Sequence, residues 1–112
     1  MSLETNRIDA IFIPYDGPPS ILVDTYFKIK SYVFESQSTY SVKITDDFYF
    51  ILSFDDFSVI KKENMNASEL YRVYTNTYQN STVYGNALIV GTNYNSVPQS
   101  VIDSVLNIFY TK

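Results

Sequence analysis

The chain contains no cysteine and no histidine. Without cysteine there is no disulfide framework, no thiolate metal site and no thiol nucleophile. Without histidine the common zinc sites, the usual general base near neutral pH and His-assisted serine catalysis are closed as well. Carboxylate, lysine or tyrosine chemistry remains, so the sequence leans to binding over reaction, and no cofactor is expected. Basic residues are also thin. Eight Lys and Arg stand against twelve Asp and Glu, a net charge of -4, with no cluster longer than Lys61-Lys62. Phosphate-backbone binding needs a basic face, so nucleic acid is not an expected partner. No apolar run approaches the length of a membrane span, and the opening residues lack the layout of a secretory signal. The expectation is a soluble, cytoplasmic protein with no membrane partner, in the host cytoplasm if viral.

Glycine and proline are scarce, with 3 and 4 copies, whereas tyrosine and phenylalanine number 11 and 8. That balance belongs to ordered globular chains, not to disordered tails. At 112 residues the size prior gives a single domain, residues 1–112, able to bury a core without metal or disulfide.

Ala87, Leu88, Ile89 and Val90 form a short apolar run between Gly85 and Gly91, which reads as a strand buried on both faces at the centre of a sheet. Residues 7–15 read as a first strand, ended by the turn chemistry of Pro14, Gly17, Pro18 and Pro19. Leu22, Tyr26, Ile29 and Val33 recur at helical steps, widened by Phe27 and Phe34, and predict a helix over 24–34 capped by Asp24 or Thr25. Alternation over 40–45, a turn at Asp46-Asp47 and the dense run 48–54 predict a β-hairpin with one exposed and one central strand. Phe57, Val59 and Ile60 offer a further short strand. Asn66 with Glu69 three residues on resembles a capping box, opening a helix over 67–75. Pro98, with Ser96 as cap, opens a last helix whose buried face carries Val101, Val105 and Ile108. The fold expected is α+β, a four- or five-stranded mixed or antiparallel sheet with two or three helices packed on one face.

Candidate sites are few, and each has a plainer reading beside it. Asp46-Asp47 and Asp55-Asp56 supply four carboxylates that could hold Mg²⁺ or Ca²⁺ if they converged, but the intervening strand puts the pairs roughly 20 Å apart at about 3.3 Å per residue. They read as turn aspartates, and no metal is expected. Asp16 and Gly17, in the proline-rich loop, could face Gly85 and Asn86 across a small-molecule pocket, with a glycine amide approaching an anion and Asn86 orienting it. Alternatively Gly85 and Asn86 only shape the entry of a strand. Tyr71, Tyr74 and Tyr78 fall at steps of three and four. As an exposed stripe they would mark a protein-binding site; as core aromatics with wet hydroxyls they would carry no function.

Taken together, Ile13-Pro14-Tyr15-Asp16-Gly17-Pro18-Pro19, Asn66 at a helix start, and Tyr84-Gly85-Asn86-Ala87-Leu88-Ile89-Val90-Gly91 resemble an uncharacterised small domain of unknown function found in bacteriophages, mobile elements and large DNA viruses. The resemblance spans nearly the whole chain. Two positions depart from it: Glu35-Ser36-Gln37-Ser38 stands where paired glycines are expected, and Ser53-Phe54-Asp55-Asp56 where a polar Asn-Glu turn is. The resemblance implies a viral or mobile-element origin and no assigned activity. The function expected is that of an accessory protein acting by protein binding. The alternative is a small-molecule or nucleotide-binding domain using the 16–19 loop with Gly85 and Asn86. A homo-oligomeric virion component, joined through the strand at 40–45, is a third possibility.

Overall fold

A computed structural model describes residues 6–34, 39–53, 63–75 and 82–110. Five strands form one antiparallel sheet in the order β2-β1-β5-β4-β3. They are β1 (Arg7–Ile13), β2 (Ser20–Thr25), β3 (Thr39–Lys43), β4 (Phe48–Ser53) and β5 (Ala87–Gly91), with helices α1 (Tyr26–Val33), α2 (Met65–Thr75) and α3 (Gln99–Tyr110). The fold is thus α+β. The apolar run around Leu88 is the central strand, and every residue of β5 is buried.

Because side chains alternate along a strand, the three inner strands carry two cores at once. On one face Ile11 and Ile13 of β1, Phe48, Phe50 and Leu52 of β4, and Ala87 and Ile89 of β5 pack against Ala67 and Leu70 of α2 and Val101, Ile102 and Val105 of α3. On the other face Ile8 and Ala10, Ile51, Leu88 and Val90 pack against Tyr26, Ile29 and Val33 of α1 and against Phe34. Two helices therefore share one face, and the third covers the other.

Helix α1 starts later than the periodicity predicts. Residues 20–25 pair with β1, Arg7 opposite Thr25 through to Phe12 opposite Ser20, so Leu22 is a strand residue. It still faces the α1 side, which is why helical spacing captured it. The cap is Thr25, whose hydroxyl accepts from the Lys28 amide at 3.4 Å; Asp24 instead accepts from the Thr25 amide at 2.8 Å. Phe27, expected in the core, is 47% exposed.

The hairpin forms as expected, with Val42 opposite Phe50 and the Ile44 and Thr45 amides donating to the Phe48 carbonyl. An exposed ion pair, Lys43 to Asp46 at 3.0 Å, sits at its turn. The strand expected at Phe57, Val59 and Ile60, and the pair Asp55-Asp56, lie outside the described residues.

Beyond β5 the chain turns sharply. The Asn95 amide donates to the Thr92 carbonyl at 3.2 Å, and Asn93 and Tyr94 between them both have φ of 59°. The left-handed conformation is unfavourable for a bulky side chain. Tyr94 is held in it by its ring, 4.9 Å from that of Tyr26, and by its hydroxyl, 3.1 Å from Ser41 Oγ. Ser96, expected to cap α3, instead accepts from the Asp9 amide at 2.9 Å. Helix α3 opens on backbone bonds, the Pro98 carbonyl accepting from the Val101 and Ile102 amides.

Candidate functional site

The two loops singled out in the sequence meet at one end of the sheet, and asparagines join them. Asn64 is 1% exposed and spends its whole side chain on backbone. Its Nδ2 donates to the Ile13 carbonyl at 2.9 Å and to the Gly85 carbonyl at 2.8 Å, while Oδ1 accepts from the Ala67 amide at 2.9 Å. Its own amide donates to the Val83 carbonyl at 2.7 Å. One residue thus caps α2 and ties the end of β1 to the approach of β5. The cap is Asn64 and not Asn66, and the same side chain supplies the donor for the Ile13 and Gly85 carbonyls. Asn66 instead donates to the Gly17 carbonyl at 3.5 Å. Buried Ser68 completes the tie, its Oγ accepting from the Val83 amide at 2.7 Å.

Gly85 has a positive φ of 76°, which glycine adopts without strain, and this bend carries the chain from the Glu63–Tyr84 bridge into β5. Asn86 bridges three segments: Oδ1 accepts from the Tyr15 amide at 3.3 Å, and Nδ2 donates to the Val33 carbonyl at the end of α1 at 2.9 Å. Asp16 is exposed and Gly17 half-buried. The four predicted ligand-binding residues are therefore brought into one neighbourhood, with both polar ends of the Asn86 amide engaged internally.

Around this rigid junction stand large side chains in water. Tyr15, Met65 and Tyr84 are 41%, 66% and 53% exposed, each within two residues of a junction hydrogen bond. Exposed Asp16 and Glu63 flank them. Sequence reasoning passed over these three side chains, although Tyr15 and Tyr84 directly border the loops it chose.

Of the tyrosines at steps of three and four, Tyr71 and Tyr74 take the core-side placement. Tyr71 lies over Phe50, the rings 6.2 Å apart and 12° from parallel, and Tyr74 meets Phe48 edge-on at 5.1 Å. Both are half-buried against the core on the α2 and α3 face. Burial pushes the Tyr74 hydroxyl above its ordinary pKa, and its hydrogen bond to Ser104 of α3 partly offsets that. Tyr78 lies outside the described residues. On the other face, burial, reinforced by the neighbouring Tyr94, pushes Tyr26 up to about 12.

Among the described residues no three acidic side chains gather closely enough to hold a metal ion, and no helix is long and apolar enough to cross a membrane. No family model matches the chain, and no curated protein or solved structure matches it either.

Proposed function

We propose that the chain is an accessory protein of viral or mobile-element origin that acts by binding another protein, through the end of the sheet where Tyr15, Met65 and Tyr84 surround the Asn64 and Asn86 junction. The observation that carries this reading is the exposure of those three side chains on a backbone held by side-chain hydrogen bonds. Tyrosine and methionine are enriched at interface centres, and a fixed backbone loses little entropy on association. Exposed Asp16 and Glu63 beside them favour a partner surface that is apolar with a basic rim. Tyr71 and Tyr74, with their rings packed on phenylalanines, contribute to this surface only through the α2 scaffold.

Affinity capture from host lysate, run in parallel with the intact chain and with a Tyr15→Ala, Tyr84→Ala variant, tests the reading. A protein retained by the first and lost from the second, at equal thermal stability, supports it. Identical captures from both would sink it.

The second reading, a small-molecule or nucleotide site at the same place, draws on the direct hydrogen bond that brings the loop of Asp16 and Gly17 against Asn86. Native mass spectrometry tests it. An added mass that survives purification and disappears in Asp16→Ala favours a ligand site; the bare chain mass in both counts against it.

A further inference from the structure

We infer that the chain pairs with a second copy of itself along β2, by two-fold antiparallel addition centred on Leu22. The Asp9 amide donates to Ser96 Oγ, and its carbonyl accepts from the Val97 amide. The backbone groups of Asp9 therefore point away from β2. In an antiparallel ladder the alternate residues Ile8, Ala10 and Phe12 must then bond β2, opposite Asp24, Leu22 and Ser20. The amides and carbonyls of Ile21, Val23 and Thr25 face the outer edge.

That edge is closed at both ends from within the chain. The Thr25 amide is taken by Asp24 Oδ1. Pro19 has no amide hydrogen, and its carbonyl accepts from the Tyr110 hydroxyl at 2.8 Å. Between them, among the described residues, the Ile21 amide, the Ile21 carbonyl and the Val23 amide have no partner. The Val23 carbonyl takes the Arg7 guanidinium at 3.2 Å and keeps a second lone pair. A two-fold axis at Leu22 sets Ile21 opposite Val23 of the second copy, and the reciprocal pair beside it, so four ladder bonds satisfy all of these groups.

The side chains fit the same operation. Ile21 and Val23, 43% and 49% exposed, lie on one face, and each meets the other's counterpart across the axis. Ser20 falls opposite Asp24 of the second copy, a hydroxyl donor against a carboxylate. The strand itself carries no charge from Ser20 to Val23, although the chain as a whole carries -4, and the cation at this edge is the Arg7 guanidinium on the Val23 carbonyl. The other outer strand, β3, is less suited: exposed Lys43 is the kind of edge charge that discourages pairing. An isologous contact of this kind closes at two copies.

Sedimentation over a range of concentrations reads the assembly, and cysteine placement reads the register, since the chain has no cysteine of its own. Leu22 meets its own counterpart in a non-hydrogen-bonded pair with Cα atoms about 4.5 Å apart, within disulfide reach. Ser20 lies about 14 Å from its counterpart, four residues away at about 3.4 Å per residue, beyond that reach. A reversible dimer, weakened about tenfold or more by Val23→Lys, with Leu22→Cys crosslinking far faster than Ser20→Cys, is expected. A monomer at all concentrations, a dimer indifferent to Val23→Lys, a growing open assembly, or equal crosslinking at the two positions overturns the proposal. Circular dichroism of each variant verifies folding, and Val23→Lys at an exposed position keeps the test decisive if Leu22→Cys fails to fold.

Discussion

Replacing Gly91 with alanine should damage this fold far more than either other glycine substitution, and the reason is contact, not conformation. Gly91 has φ of -77° and ψ of 179°, extended backbone that any residue adopts. A Cβ there would collide with the Ser96 carbonyl oxygen and lie 2.9 Å from the Ser96 carbonyl carbon and 3.0 Å from the Asn95 oxygen. All three are backbone atoms, so relief requires the 95–96 segment to move by about 1 Å to reach ordinary contact. The segment is pinned on every side: the Gly91 amide donates to the Asn95 carbonyl, Val97 donates to Asp9, and Ser96 accepts from Asp9, each at 2.9 Å. Overpacking of about 1–3 kcal/mol, with two of these bonds weakened at about 1 kcal/mol each, gives a loss of about 3–5 kcal/mol. In thermal unfolding that is a fall of roughly 12–20 °C, at about 4 °C per kcal/mol for a chain of this size. Gly85→Ala, whose positive φ of 76° disfavours a side chain, should lose about 1–2 kcal/mol. Gly17→Ala, whose Cβ would meet only Pro14 Cγ at an ordinary 3.6 Å, should change stability by about 0.5 kcal/mol or less. A Gly91→Ala protein melting within a few degrees of Gly17→Ala would refute the reasoning.

Asn64→Ala removes an α2 cap and leaves the Ile13 and Gly85 carbonyls without their donor, so urea unfolding should register a loss of about 3 kcal/mol or more; Asn66→Ala should lose well under half of that. Tyr74→Phe deletes the hydroxyl bonded to Ser104 while keeping the ring on Phe48, and should cost about 1 kcal/mol. Tyr26 titrates near 12 in the folded chain and near 10 once unfolded. Its share of stability is therefore complete below pH 10 and lost as pH rises from 10 to 12, and chemical unfolding of Tyr26→Phe at several pH values should show a shallower fall there, with the remainder owed in part to Tyr74, which burial also raises.

The elements visible in the sequence are those whose patterns arise within themselves. The apolar run at Ala87 to Val90, the turn aspartates Asp46-Asp47 between two β-patterned runs, and the broad apolar face of α3 all need only local alternation or helical spacing to be read. The boundaries missed are set by distant partners. β2 is a strand because β1 lies beside it, and Leu22 points to the same core in either conformation. Asn64 caps α2 while its amide serves two carbonyls far along the chain, whereas Asn66 carried the local signature. Ser96 looks like a cap, yet its hydroxyl is claimed by Asp9, 87 residues earlier. At the candidate site, sequence reading chose the two loops that do meet, since turn residues and a glycine before a strand are visible locally. It did not see Tyr15, Met65 and Tyr84 as a surface, because exposure depends on what the rest of the chain leaves uncovered.

Site-specific photo-crosslinking in host cells tests the proposed binding surface most directly, with a photoreactive phenylalanine placed at Tyr84 and, as control, at Phe27, which is 47% exposed at the start of α1. The account predicts an adduct to a protein other than the chain itself from position 84 and none from position 27. No adduct from position 84, or the same adduct from both, would contradict it.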